Sequence, residues 1–365
     1  MKPTLIACLG LILIIAGATR DQRASSTGDA VILITLDGAR TEEIFAGLDR
    51  DILQSTLRSN QKIEEQPVYR RFWADTPVAR REKLMPFFWR TLMAEHGSIA
   101  GNVAAGSTAT LTNRHRVSYP GYSEILLGEA HDDVIKNNDP IRNPYPTVFE
   151  ELRTKLGLTP PQAAVFTSWN VFDAIATHTP GNITVNAGPV PVDAPDPETQ
   201  MLSRMQLLTP TPWDGVRHDA YTFLLAMAHL KTARARLLYI AFDETDDWAH
   251  DGRYDRVLEA YARTDGFLQQ LWTWIQSQPD YKDRTHLLIT TDHGRGHRAK
   301  DWRNHGARVE GAQNVWMAFV SPSMSARGEW RDRPAVHTNQ VAATIASWLG
   351  VDWVALRPQA GQPIR

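Results

Sequence analysis

Short apolar runs of β type alternate with helical patterns along this chain, and this alternation constrains its fold more than any other feature. Three runs are almost continuously apolar, as expected for strands that are buried on both faces. The predicted strands are Ala30–Leu36, Ala163–Thr167, Arg236–Phe242, His286–Thr291 and Val315–Val320. The predicted helices are Val78–Glu95, Thr147–Leu156, Trp213–Ala233, Arg253–Ser277 and Thr338–Leu349. The pattern predicts an α/β fold, a three-layer α/β/α sandwich in which helices cover a mostly parallel central sheet.

The N-terminus has the pattern of an export signal. Lys2 precedes an apolar run, Leu5–Gly17, that is short for a membrane span, and Ala16–Ala18 fits the small-residue rule for cleavage. We therefore predict a signal peptide at 1–18, a polar linker at 19–29 and a single domain at 30–365. The alternative is an uncleaved anchor. Cleavage predicts a periplasmic or secreted protein with no stable membrane span.

The cysteine count and the net charge exclude several classes of function. Cys8 is the only cysteine, so the mature chain would have neither disulfides nor thiolate chemistry. Although Leu5–Cys8 resembles a lipoprotein box, the apolar run continues beyond it, which argues against lipidation. The net charge of −2 gives no indication of a nucleic-acid partner, and the oligomeric state is left open.

Three of the predicted strands run directly into acidic motifs. These motifs are Asp37-Gly38, the segment Asp243–Asp247, and Asp292-His293-Gly294. Open α/β sheets bind ligands outside the carboxyl ends of their strands, so these side chains should meet in one crevice. Each motif alone has a common structural explanation, such as a helix N-cap. Together they indicate a cation site, and mixed Asp and His ligands favour zinc or a similar divalent metal.

The order of motifs resembles the alkaline phosphatase superfamily, especially its nucleotide pyrophosphatase/phosphodiesterase and cofactor-independent phosphoglycerate mutase branches. The matching motifs, in chain order, are Leu36-Asp37-Gly38, Ser118–Ser123, Asp246-x-x-x-His250, Asp292-His293-Gly294 and His305-Gly306. The similarity covers essentially the whole mature chain and implies an alkaline phosphatase-like catalytic domain. The chain differs from the motifs of two subgroups of this superfamily. Tyr122 stands where formylglycine sulfatases have Arg, and Tyr119–Ser123 does not match the Phe-Pro-Asn-His-Tyr of the phosphodiesterases.

The resemblance implies a two-metal site with a serine nucleophile. The first metal would be bound by Asp246, His250 and His305, and the second by Asp37, Asp292, His293 and the hydroxyl of Ser118. Zinc is the expected metal, with manganese or iron as the alternatives. Ser118 also precedes the helical pattern Tyr122–Gly128, so its hydroxyl should lie near a helix N-terminus, where anions are favoured. A plain N-cap serine is the alternative interpretation, and Ser123 is a second candidate nucleophile.

Further residues near the motifs have two possible roles each. Asn137 or Asn138 could contact the phosphoryl group or form a turn before Asp139. Arg295 and His297 could contact the substrate or face solvent. The acidic neighbours of Asp246 could orient the metal ligands; these are Asp243, Glu244 and Asp247. The proline-rich stretch Pro180–Pro212 is predicted to be a long loop, which could lie over the site.

The predicted activity is hydrolysis of a small-molecule phosphate ester, a monoester or a diester, through a phosphoseryl intermediate on Ser118. A transferase or mutase that passes the phosphoryl group to an alcohol is one alternative. A sulfatase-like hydrolase and a metal-binding protein without turnover are the others. The sequence does not identify the substrate, because loops set specificity on a shared scaffold.

Overall fold

The computed structural model describes residues 28–365 except 193 and 195. The predicted signal peptide and most of the predicted linker, up to residue 27, lie outside the described residues. Within the described part of the chain, no helix is both long enough and apolar enough to cross a membrane.

The centre of the fold is a sheet of eight strands within the described residues. The strands are β1 Ala30–Leu36, β2 Gly97–Ala100, β3 Ala109–Thr110, β4 Ala163–Thr167, β5 Thr184–Ala187, β6 Leu237–Phe242, β7 Thr285–Thr290, β8 Met317–Val320, β9 Gly328–Glu329 and β10 Val336–His337. Their order in the sheet is β5-β4-β6-β1-β7-β8-β2-β9, and β3 pairs separately with β10. Only β8 runs antiparallel to its neighbours in the described sheet. The prediction of a mostly parallel sheet is therefore confirmed.

Helices connect the strands and cover the sheet. They are α1 Thr41–Ala46, α2 Arg50–Ser55, α3 Pro67–Phe72, α4 Pro77–Leu84, α5 Ser118–Leu127, α6 Val148–Lys155, α7 Phe172–Ile175, α8 Pro197–Leu208, α9 Asp219–Ala233, α10 Glu244–His250, α11 Tyr254–Ser277, α12 Val341–Trp348 and α13 Trp353–Leu356. Shorter 3-10 turns lie at Ile63–Glu65, Val103–Ala105, Pro160–Gln162 and Thr338–Gln340, and Phe88–His96 is π-helical.

Successive residues of the central strand β1 point into two different cores. Ile32 and Ile34 pack with α1 to α4, α8, α9 and α11 on one face. Val31 and Leu33 pack with α5, α6, α7, α12 and α13 on the other. Each such side chain, fully buried, contributes roughly 1.5–3 kcal/mol to folding. The two cores confirm the three-layer α/β/α arrangement and explain why β1 is apolar at every position except Thr35.

The strand predictions were close, whereas one long helix was wrong. β1 and β4 have the predicted bounds, β6 and β7 differ by one residue, and β8 begins two residues late. The predicted helix Val78–Glu95 is instead α4 and the π-helical segment, with the break at Met85. Proline disfavours the helical conformation of the residue before it, and Met85, which precedes Pro86, has φ −133° and ψ 72°.

Two other segments needed correction. The predicted helix Trp213–Ala233 begins only at Asp219, because Gly215 has a left-handed φ of 74° and Val216 forms a β-bridge with Trp169. The stretch Pro180–Pro212 is not a loop throughout, since it contains β5 and the twelve-residue helix α8. Asp196 accepts a hydrogen bond from the Thr199 N–H, which starts α8 with a capping interaction.

His286, on β7, has a buried imidazole that should make the fold sensitive to acid. Its ring stacks on Trp348 at 5.0 Å, and its Nδ1 lies 2.7 Å from Ser321 Oγ. Burial lowers the pKa of His286 to about 4. An unfolded histidine has a pKa of about 6.5, so the unfolded state binds this proton first as the pH falls. Stability is therefore lost between about pH 6.5 and pH 4.

We predict that His286→Phe, which keeps the stacking contact, weakens this pH dependence. Between pH 7 and pH 4 the wild-type protein should lose up to about 3 kcal/mol more unfolding free energy than the variant. Urea unfolding at several pH values measures the difference. His96→Phe is the matched control, because the side chain of His96 is 40% exposed and its ring also contacts a tryptophan, Trp272. Identical pH profiles for wild type and His286→Phe would contradict the prediction.

Candidate two-metal site

The predicted ligands meet where three adjacent central strands end. Asp37 directly follows β1, the segment that contains α10 follows β6, and Asp292 follows β7 by two residues. These strands pair in register, with Leu36 opposite Phe242 and Thr35 opposite Thr290. Strands that run parallel in register end at one level, so the three motifs share one edge, as predicted.

One group of ligands is fully buried and consists of Asp37, Asp292 and His293. His293 Nε2 lies 3.5 Å from Asp37 Oδ1 and 3.5 Å from Asp292 Oδ2. The other carboxylate oxygens are occupied, because Asp37 Oδ2 accepts from the Tyr122 hydroxyl and Asp292 Oδ1 from the Gly38 N–H. His293 Nδ1 lies 3.0 Å from the Gly294 carbonyl oxygen, which leaves Nε2 as the atom that faces the carboxylates.

The second group lies closer to solvent and consists of Asp246, His250 and His305. Asp246 and His250 lie on α10, whereas His305 lies in a later loop. His250 Nε2 is 3.1 Å from Asp246 Oδ2 and 3.1 Å from His305 Nε2. His305 Nδ1 lies 3.2 Å from the Arg116 carbonyl oxygen, an interaction that directs its Nε2 toward the other ligands. The side chain of His250 is 46% exposed, so this group opens to solvent.

Ser118 is the first residue of α5, and its side chain faces both groups. The residue is 5% exposed, and its Oγ lies 3.4 Å from His293 Nε2. It lines a cavity of about 230 Å³ together with Asp37, Asp246, His250 and His305. A Cβ atom on Gly121 would lie 2.3 Å from the Asp292 carbonyl oxygen, so only glycine allows α5 to approach β7 this closely. The predicted position of the Ser118 hydroxyl at a helix N-terminus is what the structure shows.

The donor sets fit two divalent cations. Ligand atoms of a tetrahedral zinc site, with bonds of about 2.0–2.1 Å, lie roughly 3.3 Å apart, close to the 3.1–3.5 Å seen in both groups. Asp37 Oδ1 and Asp292 Oδ2 are buried without a hydrogen-bond partner in the described part of the chain. Burial and mutual repulsion raise the pKa of Asp37 well above its usual range, and burial does the same for Asp292. Buried oxygens without donors are what a cation would satisfy.

The remaining predicted residues have different positions. Asn138 lines the cavity and accepts from the Tyr119 N–H at 2.9 Å, whereas Asn137 accepts from the Asp139 N–H in a turn. Arg295 is buried and does not line the cavity, because its guanidinium forms an ion pair with Asp246. Ser123 is buried outside the cavity.

The acidic neighbours of Asp246 divide into two environments. Glu244 pairs with His218 and Arg263, away from the cavity. Asp243 and Asp247 line the cavity, and burial raises the pKa of both, that of Asp247 to about 8. Arg295 opposes the effect of burial at Asp246 itself and, with His250 and His305, holds the pKa of this carboxyl well below its usual range.

Several contacts were not predicted from the sequence. The hydrogen bond from the Tyr122 hydroxyl to Asp37 was not predicted. Tyr122 lies in the nucleophile motif, at the position of the sulfatase arginine. Thr245 Oγ donates to the Asp37 carbonyl at 2.5 Å and ties α10 to β1. Trp169 and Trp213 line the cavity, and scattered tryptophans in the sequence gave no signal for that role.

Comparisons with known proteins were made by sequence and by fold. No family model and no curated protein sequence matches this chain. The alkaline phosphatase PafA is similar in structure with a TM-score of 0.60 and 9% identity, over 92% of this chain and 98% of that chain. The phosphonate monoester hydrolase SpPMH from Silicibacter pomeroyi gives 0.51 and 14%, over 92% and 78%. BT1596, a 2-O GAG sulfatase, gives 0.51 and 13%, over 89% and 71%.

These solved structures belong to one superfamily but carry names of phosphatase, phosphonate ester hydrolase and sulfatase. At such low identity the similarity establishes the fold and not the substrate. It agrees with the mostly parallel central sheet. The chain therefore has the fold of the alkaline phosphatase superfamily, as its ordered motifs predicted.

Proposed function

We propose that this protein is a metal-dependent hydrolase of phosphate esters that uses Ser118 as its nucleophile. The observation that supports this most directly is the position of the Ser118 hydroxyl. It faces one cavity with members of both ligand groups, 3.4 Å from His293 Nε2. A plain N-cap serine would not require six metal-type ligands in two groups around it.

Two divalent cations, when bound, would lower the pKa of a coordinated hydroxyl and neutralise the charge of a phosphoryl group. The chain itself supplies the position of the nucleophile. The Ser118 hydroxyl would lose its proton to solvent as Oγ attacks phosphorus, and the bond from phosphorus to the alcohol oxygen would break in line with it. The alcohol oxygen takes the electron pair and gains a proton from water. A water molecule then cleaves the phosphoserine, which returns the Ser118 hydroxyl and releases phosphate or a phosphomonoester.

Other groups at the site would hold the substrate during this step. The N-terminus of α5 places backbone N–H groups and a partial positive charge beside Ser118. Asn138 accepts from the Tyr119 N–H, so its amide NH₂ is available to a phosphoryl oxygen. Tyr122 and Gly38 each donate to one metal-ligand carboxylate and orient its free oxygen toward His293.

Sulfate-ester hydrolysis is the second candidate, since a sulfatase shares the fold. The argument against it is local. The sulfatase motif has an arginine where this chain has Tyr122, and the Tyr122 hydroxyl is already bound to Asp37. A mutase or transferase would use the same nucleophile with an alcohol in place of water. Assays with matched phosphate and sulfate esters, with and without an acceptor alcohol, separate these candidates. We also propose export, on the pattern of residues 1–18, which N-terminal sequencing of the mature protein tests.

Metal removal should abolish activity, because the buried carboxylates depend on cations for compensation. We predict that His250→Ala depletes the solvent-facing metal and that Asp292→Asn depletes the buried one, with activity losses of an order of magnitude or more. Metal stoichiometry by mass spectrometry and hydrolysis rates measure both effects. His96→Ala, at an exposed histidine, is the control and should bind metal normally. Full activity in metal-free protein would contradict the proposal.

Ser118→Ala should remove the first displacement while leaving the fold and most bound metal, since six protein ligands remain. We expect turnover to fall by several orders of magnitude, with residual hydrolysis from the surviving groups. Ser123→Ala is the matched control in the same helix, because that serine is buried outside the cavity. Acid-quenched protein should carry a phosphoryl group on Ser118 by mass spectrometry. If Ser118→Ala kept wild-type turnover and Ser123→Ala lost it, the nucleophile would be Ser123 and not Ser118.

A further inference from the structure

The mouth of the cavity is formed by two tryptophans that the catalytic step does not use. Trp169 and Trp213 line the same cavity as Ser118. The segment around Trp169 pairs with the loop that follows Trp213, through a Trp169–Val216 bridge and an Asn170 N–H bond of 2.9 Å to the Gly215 carbonyl. The pairing brings two distant parts of the chain together beside the nucleophile.

The Trp213 indole is held in place by its neighbours. Its Nε1 donates to Asp251 Oδ2 at 3.0 Å, and its ring meets Trp248 edge-on at 4.5 Å. Thr211 Oγ lies 2.8 Å from the Val216 carbonyl oxygen and 3.0 Å from that of Trp213, so its one proton is shared between them and fixes the loop. The Trp169 ring packs edge-on against Phe172. Because these rings are held in place by their neighbours, they offer aromatic surface to a ligand at low entropic cost.

The cavity is also lined by carboxyl groups that are not among the predicted metal ligands. Asp214, Asp243 and Asp247 line it in addition to the metal ligands Asp37 and Asp246. Among the described residues that line the cavity, none is Lys or Arg. Asp214 is exposed at the mouth, next to Trp213 in the chain. Beside the exposed Asp214, an anionic organic group such as a polyphosphate would be repelled, whereas a cationic group would be attracted.

We infer that the organic part of the substrate is a small amino alcohol, whose ammonium or quaternary ammonium group lies against Trp169 and Trp213 with Asp214 beside it. Indole faces bind such cations, and carboxylates at the rim add Coulomb attraction. The cavity of about 230 Å³ is smaller than most sites for drug-sized ligands, which suits a short alcohol. The inference rests on the proposed ester hydrolysis and specifies its substrate class.

The test compares two phosphate monoesters of the same shape, choline phosphate and 3,3-dimethylbutyl phosphate, which differ by one positive charge. The corresponding methyl diesters provide the same comparison if the enzyme prefers diesters. We expect kcat/KM to favour the choline ester by about tenfold or more. Since the charge also makes choline a better leaving group, the decisive quantity is the change in this ratio between wild type and variants.

The ratio should fall several-fold in Trp213→Leu, which removes the π face but keeps apolar bulk, and should be partly restored in Trp213→Phe. Asp214→Asn, at an exposed site, should lower the same ratio without a change in volume. Asp75→Asn is the charge-matched control, because it removes an exposed carboxylate that does not line the cavity. It should keep the wild-type ratio. An unchanged ratio in Trp213→Leu and Asp214→Asn would overturn the inference.

A binding measurement separates failure of the inference from failure of the proposed function. Choline and its neutral isostere 3,3-dimethylbutanol are titrated into metal-loaded protein and followed by ligand-observed NMR. If none of the esters is hydrolysed, the proposed function fails, and tighter binding of choline than of the isostere still supports the subsite. If both esters are hydrolysed and both alcohols bind equally, the subsite inference fails and the proposed function stands.

The amino alcohol could reach the enzyme in a soluble ester or in a lipid headgroup. Release of choline or choline phosphate from glycerophosphocholine and from phosphatidylcholine vesicles distinguishes the two. Activity on the soluble ester alone identifies a soluble substrate, and activity on the vesicles identifies the headgroup; either result supports the cationic class. A preference for uncharged alcohols in every arm would exclude it.

Discussion

The mutual repulsion of three carboxylates at one end of the sheet is the constraint on which the rest of the site depends. Asp37, Asp246 and Asp292 each have an oxygen within 3.8 Å of the same atom, His293 Nε2. Arg295 pairs with Asp246, but the free oxygens of the other two have no donor within the described residues. Burial of unpaired carboxylates costs several kcal/mol each. The arrangement is therefore consistent with a chain that folds around cations, or that acquires much of its local stability from them.

Hydrogen bonds to buried carboxylates outside the ligand groups fix the segments that carry the ligands, against this repulsion. Asp219 accepts from the backbone N–H groups of Asp243 and Glu244 and so anchors the start of α10. Glu124, on the nucleophile helix, accepts from the backbone and side chain of Asn113. Asn113 Oδ1 in turn accepts a hydrogen bond from the Arg116 N–H. Arg116 has a left-handed φ of 55°, and its carbonyl oxygen lies 3.2 Å from His305 Nδ1. One network therefore supports both the approach to Ser118 and a metal ligand.

The alternation of apolar runs predicted the mostly parallel sheet, and the motifs at the strand ends predicted that their side chains meet, because parallel strands place their carboxyl ends at one edge whatever the loops do. The division of the ligands into two groups came from the resemblance to a known superfamily. The supports were not predictable in the same way. Glu124 and Asp219 acquire their roles only from contacts with distant segments, as Asp219 does from Asp243, and each alone in the sequence is an ordinary helical acid. Trp213 was placed in a helix that starts six residues later, since its loop is held by pairing with Trp169. A residue's role in a tertiary contact does not produce a periodic pattern in the sequence, so it could not be predicted from such a pattern.

The geometry of the nucleophile is set by backbone packing and not by the reach of its side chain. Serine has a single rotatable bond before its hydroxyl, so the position of α5 decides where Oγ lies. Gly121, one turn along α5, lies against the Asp292 backbone with no room for a Cβ, and Val117 accepts from the Gly121 N–H at 3.0 Å. A side chain at position 121 would move α5 away from β7 and separate Ser118 from His293. Because a displacement of about 1 Å can cost 10²-fold in rate, this contact between two backbones is as necessary to the proposed chemistry as the ligands themselves.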